Sequence, residues 1–302
     1  KEYGCQLLIS RAQKTNHLAS ISGKILSIPS IVVASSAMAT NLHSDTCFKK
    51  ITNKAIIYFR YNFANQIVFV SEEGAENFKK MYPKHSDKTT HIANGINISP
   101  PLGQPFESLS NNKFVLCYSD SIHIHRKGLD VLIKSLAELV YSYKQNNILL
   151  QIIGTGEDKE KLQKMIKDLD IEDYVLFIGE KKDPYPFVSK SDVFVLPSRF
   201  EGLPNSLLEA MKLGVCCIAS DCPTGPKEII TNGENGILVP KENSNLLAKA
   251  INQVMEDPSY KNRLAKKGKE TTETKYSPET MCDKYIDLVM KTTQYGSTKK
   301  NI

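Results

Sequence analysis

Short apolar runs alternate with longer amphipathic stretches along most of the chain, the pattern of β-α-β units that build parallel sheets. In the first half, residues 28–33 and 66–70 read as strands, with helices over 14–27, 48–63 and 72–81 and a short strand over 89–92. Leu7-Leu8-Ile9-Ser10 looks like a further strand, one from the middle of a sheet. The second half is more regular: strands over 114–118, 148–153, 175–178, 193–196, 215–219 and 237–239 alternate with helices over 128–143, 158–169, 205–213, 226–231 and 243–255. That order predicts one doubly wound domain with right-handed crossovers. Between the halves, residues 97–112 hold three prolines, a glycine and many polar side chains, which places an interdomain linker at 99–112. The domains are then 1–98 and 113–275, followed by a polar, helical segment over 276–302.

One junction carries the layout of a ligand site. The apolar run Val193-Phe194-Val195-Leu196 predicts a buried strand, Gly202 and Pro204 break the chain after it, and Asn205 can cap a new helix. In open α/β sheets, ligands bind at such strand-to-helix junctions. Free N–H groups at the helix start, together with the helix dipole, favour an anion such as a phosphate. Glu209 follows one turn later among Leu207, Leu208, Ala210, Met211 and Leu213. A carboxylate on so apolar a helix needs a partner, and a ligand hydroxyl would serve.

Glu201 and Glu209 stand in the frame Phe-Glu-Gly-Leu-Pro-Asn-Ser-Leu-Leu-Glu-Ala-Met. This resembles the signature of the retaining glycosyltransferases of family four (group 1), which have the GT-B fold. The resemblance continues through residues 219–228 and 232–240. It is weaker at Arg126-Lys127-Gly128-Leu129-Asp130, Gly154-Thr155-Gly156-Glu157 and Asn94-Gly95-Ile96-Asn97, and covers roughly residues 65 to 290. The wording is most similar to enzymes that build bacterial surface polysaccharides or lipid-linked oligosaccharides.

The resemblance implies two Rossmann-like α/β domains facing a cleft, the N-terminal one on the acceptor side and the C-terminal one holding a nucleotide-sugar donor, UDP-linked. It also implies a last helix, over 276–302, that returns to the N-terminal domain. Glu201 would hydrogen-bond the donor sugar and Glu209 the ribose diol, backbone N–H groups from Leu203 to Ser206 would cradle the distal phosphate, and Gly202, Leu203, Pro204, Asn205 and Ser206 together would form the donor-binding turn. Arg126 and Lys127 would stabilise charge on the departing diphosphate. Gly154 and Gly156 would let backbone approach the nucleotide, and Gly179, Glu180 and Lys181 would lie where the base is gripped. Glu228 would contact the sugar or cap its helix. Catalysis would be by same-face attack, with the departing phosphate oxygen taking the proton of a glycan or lipid-linked acceptor and with no metal or other cofactor.

Three departures from the family pattern bear on the acceptor side. Asp120 and Ser121 stand where the family usually has a glycine and an arginine, Ser35 stands where many relatives have a histidine, and the first domain reads as shortened. Two other readings follow: a nucleotide-sugar-binding protein without transfer activity, and a nucleotide-sugar epimerase on the same scaffold.

Composition narrows the picture further. No run approaches the roughly 18 apolar residues of a membrane-spanning helix, and no signal segment opens the chain, so the expectation is a cytoplasmic protein, at most peripheral to a membrane. The net charge of +6 suits an anionic ligand or anionic lipid, but it is spread along the chain and does not point to nucleic acid. Lys49, Lys50, Lys54 and Arg60 read as a solvated helix face that such lipid would meet. Seven cysteines without a Cys-x-x-Cys pair read as free, mostly buried thiols. His123 and His125 hint at a metal, but no third ligand lies near them in sequence, and Asp168-Leu169-Asp170 ends an amphipathic helix where a metal motif would end a strand.

Overall fold

The computed structural model describes residues 4–11, 13–34, 57, 60–98 and 113–298. Chain contacts divide it into two units, Lys1–Gly95 with Pro278–Ile302, and Ile96–Ser277. The linker expected at 99–112, Ser35, Lys49, Lys50, Lys54 and most of the helix expected over 48–63 lie outside the described residues.

The first unit contains β1 (Leu8–Ser10), α1 (Gln13–Leu26), β2 (Ser30–Ala34), β3 (Gln66–Phe69), α2 (Glu72–Met81) and β4 (Thr89–His91). Its strands pair in parallel in the order β1-β2-β3-β4, so among the described residues β1 lies at the edge of the sheet, not in its middle. All five residues of β2 are buried, as a strand covered on both faces requires. Ser71 starts α2 by accepting a hydrogen bond from the Gly74 N–H, and Glu72 and Glu73 complement the helix dipole behind it. Phe78 of α2 packs among Tyr61, Phe69 and Tyr82, each ring centroid within 5.1 Å of its own. Lys88 Nζ donates to the carbonyls of Tyr61, Asn62 and Ala64 at 2.8, 3.0 and 2.8 Å. Arg60, expected on a solvated face, is buried, with its Nη2 3.1 Å from His17 Nε2 of α1.

The second unit holds, in chain order, β5 (Phe114–Ser119), α3 (Ile124–Lys127), α4 (Leu129–Tyr141), β6 (Ile148–Ile153), α5 (Lys159–Asp168), β7 (Val175–Gly179), α6 (Tyr185–Val188), β8 (Val193–Leu196), α7 (Asn205–Lys212), β9 (Cys216–Asp221), α8 (Pro226–Ile229), β10 (Ile237–Pro240), α9 (Ser244–Glu256) and α10 (Pro258–Lys275). The last helix, α11 (Pro278–Thr298), groups with the first unit. The strands pair in parallel in the order β10-β9-β8-β5-β6-β7. The chain runs outward from β5 through β6 to β7, then crosses back to β8 on its other side. That reversal between β5 and β8 is the topological switch point, and it opens a crevice beyond their carboxyl ends. Buried residues of β5, β6, β8, β9, α4 and α9 form one core with Cys216, while Cys117, Cys217 and Cys222 are buried free thiols and Cys5 and Cys282 are exposed. The helix expected over 128–143 is α4, and the left-handed Gly128 (φ 65°) separates it from the short α3 that precedes it. No helix among the described residues is long and apolar enough to cross a membrane.

His85 gives the first unit an acid sensitivity. Its ring stacks on Phe78 and is 3% exposed, and burial, reinforced by Lys88 and Lys84, holds its pKa at about 4 against an ordinary 6.5. Between those values the unfolded chain binds a proton that the folded one excludes, so stability present above pH 6.5 is lost as the pH falls through this window. Urea unfolding at pH 7 and 4.5 should therefore show the native protein losing on the order of 2 kcal/mol more than His85→Phe over that interval.

Candidate functional site

The crevice at the switch point is lined by the segments that leave β5 and β8. Beyond β5 the chain passes Asp120 and Ser121 before α3 presents Lys127. Beyond β8 it passes Pro197, Ser198 and Arg199 to Glu201. Lys127 is 4% exposed, and its Nζ lies 2.5 Å from Asp120 Oδ2 and 2.8 Å from Glu201 Oε1. Ser198 Oγ donates to the same Glu201 oxygen at 2.6 Å. A buried ammonium is tolerable only when paired and hydrogen-bonded, and here two carboxylates share that task. Asp120 also accepts from the Ser121 N–H at 2.6 Å, and Tyr118 donates its hydroxyl to the Ser121 carbonyl at 2.7 Å. Burial, then the Asp120 and Glu201 charges, push the Tyr118 phenol well above its ordinary range.

The backbone around Glu201 is held from the next strand. The Thr224 hydroxyl donates to the Glu201 carbonyl and the Ser220 hydroxyl to the Ser198 carbonyl. Gly225 sits at φ 86°, where a Cβ would run into the Gly202 carbonyl and Pro204 Cδ. Gly128 likewise lies against the Pro197 carbonyl, so both glycines permit backbone contacts that any side chain would block. The carbonyls of Asp120 and Ile122 abut Gly154 and Gly156 in the same way, which puts that loop beside Asp120.

The cap of α7 falls one residue earlier than the sequence suggests. Pro204 occupies the N-cap position without a side-chain cap bond, and Asn205 is the first helical residue. Proline has no N–H, so of the segment from Leu203 to Ser206 only Leu203, Asn205 and Ser206 carry one. Donors in the first turn have no carbonyl one turn back to bind, and the dipole adds positive potential there. Glu209, half-buried between Leu208 and Ala210, is lifted above the usual carboxylate range by burial; a hydrogen bond from Tyr185 opposes this and the Asp120 charge adds to it.

The expected residues therefore divide. Lys127, Glu201, the Gly202–Ser206 turn, Glu209, Gly154 and Gly156 gather around the crevice. Arg126 is exposed, and its guanidinium lies 3.5 Å from Ser121 Oγ. Glu180 and Lys181 are exposed beyond β7, two strands from β5, where Lys181 Nζ stands 5.7 Å from the Phe187 ring centroid; Gly179 (φ 78°) ends that strand. The expectation that no third ligand lies near the histidines is corrected: His123 Nε2 is 3.5 Å from Glu157 Oε1 and His123 Nδ1 3.9 Å from Asp158 Oδ2. Asp158 is already occupied, accepting from the Ile124 N–H and from Lys161 Nζ, both at 2.9 Å. Sequence reasoning missed Asp120 as a partner of Lys127, Ser198 as a partner of Glu201, and Tyr185. The only signal available was position, since Asp120 and Ser198 are among the first polar residues beyond buried strands.

The Gly225 contact yields a test of the loop's rigidity. Gly225→Ala must relieve both an unfavourable φ and an overlap with backbone, so urea unfolding should show a loss of at least about 2 kcal/mol. Gly214→Ala is the control, with a similar φ of 78° but only Lys269 Cδ, at 3.8 Å, near its Cβ position. It should lose about 1 kcal/mol.

Comparison with known proteins places this geometry. The family model described as glycosyl transferases group 1 matches residues 104–271. The lipopolysaccharide core biosynthesis glycosyltransferase LpsE of Rhizobium meliloti is 35% identical over 166 residues, 55% of this chain and 47% of that protein. A Campylobacter jejuni enzyme, the N-acetylgalactosamine-N,N'-diacetylbacillosaminyl-diphospho-undecaprenol 4-alpha-N-acetylgalactosaminyltransferase, is 26% identical over 246 residues, 79% of this chain and 64% of that one. Among solved structures, Anabaena Alr3699/HepE in complex with UDP superposes with a TM-score of 0.83 at 20% identity, over 95% of this chain and 79% of that one. The chain spans about half the length of the curated relatives it matches. With the match covering more than half of its residues, and with the fold of the solved transferases, the chain belongs to the glycosyl transferases group 1 family, the family-four enzymes of GT-B fold.

Proposed function

We propose that this chain transfers a hexose or N-acetylhexosamine from a UDP-sugar to a glycan or lipid-linked acceptor in polysaccharide biosynthesis, retaining the anomeric configuration and using no metal. The observation that carries the reading is the Lys127–Glu201 pair at the switch point, beside the first turn of α7. There a cation, oriented N–H donors and two separated carboxylates face one crevice. A sugar nucleotide presents a matching set of groups: hydroxyls for Glu201, a diphosphate for the α7 start and Lys127, and a ribose diol for Glu209.

In this mechanism Glu201 fixes the sugar by accepting from its hydroxyls. Bond cleavage leaves negative charge on the diphosphate, and Lys127 lowers the barrier because it is already fixed in place before that charge develops. The departing phosphate oxygen takes the acceptor's proton as the acceptor attacks from the same face, so no protein nucleophile is required. Asp120 and Glu201 hold Lys127 in the resting protein, and a bound diphosphate competes with them for its protons. Arg126, exposed beside Ser121, adds positive potential at the rim. Support for the donor class comes from HepE, solved with UDP and with UDP-glucose. Support for the acceptor class comes from the names of the Rhizobium and Campylobacter relatives. In a cell the reaction would take place in the cytoplasm, with at most peripheral contact with anionic membrane.

The test is a panel of nucleotide sugars, with binding measured by calorimetry and nucleotide release measured with and without glycan or lipid-linked acceptors. Transfer from a UDP-sugar is expected; binding without transfer to any acceptor would favour a donor-binding protein, and no binding at all would overturn the reading. Lys127→Ala, assayed at a temperature where circular dichroism shows it folded, should lose about 100- to 1000-fold in turnover. Near-normal rates would remove Lys127 from the mechanism.

A further inference from the structure

Arg199, between Ser198 and Glu201, has no role in the site as described so far, yet its side chain is only 15% exposed and its guanidinium is shared among several acceptors. Its Nη1 and Nη2 form a fork on Asp130 at 2.9 and 2.8 Å, in the first turn of α4. Nη1 also points at the carbonyls of Ile124 (3.0 Å) and His125 (3.4 Å), and Nε donates to Glu242 Oε1 at 2.8 Å. The Arg199 backbone N–H donates to the Arg126 carbonyl at 2.9 Å. Three successive carbonyls of α3 are therefore bound by one residue. The Ile124 carbonyl also accepts from the Gly128 N–H at 2.9 Å, but carbonyls at a helix end otherwise lack partners within the helix, and α3 is too short to hold itself in place.

The residue next along α3 is Lys127, and two residues beyond Arg199 is Glu201. We propose that Arg199 is the positioning residue of the donor site, a clasp that fixes α3 against the β8–α7 segment and so holds the Lys127 ammonium on Glu201. The inference rests on the reading of Lys127 and Glu201 given above. The clasp also ties in the loop after β10, where Glu242 adopts a left-handed backbone (φ 62°) that a non-glycine residue takes only when its surroundings require it. Three loops at the carboxyl edge of one sheet thus converge on a single guanidinium. Lysine cannot replace it, since a point ammonium has no fork to span Asp130 while reaching Glu242 and the carbonyls.

The experiment has a chemical arm and a kinetic arm. In native protein, Lys127 should resist acylation by an N-hydroxysuccinimide ester, followed residue by residue by mass spectrometry. In Arg199→Lys its rate should rise at least about tenfold, as local opening exposes the amine, while that of exposed Lys167 stays unchanged. Because Asp130 loses its fork, the Arg199→Met/Asp130→Asn pair serves as a second variant should the first fold poorly; the carboxylate it still leaves unpaired, Glu242, is exposed. In the kinetic arm, Arg199→Lys should lower kcat by on the order of tenfold to a hundredfold with donor KM within about threefold. Added to Lys127→Ala, it should cost nothing further, since a residue that acts through Lys127 has nothing left to position. Unchanged Lys127 acylation in the folded variants, or multiplicative losses in the double mutant, would overturn the clasp. If the native protein transfers sugar from no donor, the proposed function falls, and the acylation arm alone decides for or against the clasp.

Discussion

A lysine ammonium buried between two carboxylates is the constraint around which the second unit is arranged. Lys127 reaches Asp120 and Glu201 from a short helix, and neither partner can be lost without leaving the buried ammonium poorly compensated. Breaking one member out of such a buried group costs about 3 to 5 kcal/mol. The pairing therefore specifies how the segments after β5 and β8 approach one another, beyond what apolar burial alone would select. It also leaves two carboxylates facing one cation, a poised arrangement in which an incoming anion must take over part of the lysine's coordination.

That arrangement depends on the sheet beneath it. Parallel strands deliver every strand-to-helix segment to the same edge, and the reversal between β5 and β8 parts two of those segments to leave a crevice. Tight backbone approaches then fix the loops: Gly128 against Pro197, and Gly225 against Gly202. Hydroxyls of Ser198, Ser220 and Thr224 satisfy the acceptors this crowding buries. Rigidity at this edge suits catalysis by electrostatic preorganisation, in which groups must be in place before charge develops.

The limits of reading the chain without its fold are visible at single residues. Alternation of apolar and polar positions located residues 72–81, 148–153 and 193–196 as elements with the same bounds that the structure shows. Gly202 and Pro204 marked the break before α7, although the cap fell on Pro204 and not on Asn205, because a side-chain oxygen near a helix start does not decide which backbone leaves the helix. Arg60 was misread for a related reason: charge predicts exposure only until a packed neighbour, here His17, supplies a partner. His123 found Glu157 and Asp158 only because β5 and β6 are adjacent, which brings their following loops side by side.

The amino-acid sequence by itself determined the alternating architecture, the family and the segment that carries Glu201 and Glu209, since each of these is written in local periodicity or in a contiguous motif. Which charges meet was decided only by the tertiary structure. Lys127 and Glu201 are 74 positions apart, and Arg199 and Asp130 are 69 apart. Distances of that order along the chain are closed by crossovers in a parallel sheet, and strand order, which no local pattern encodes, chooses the partners.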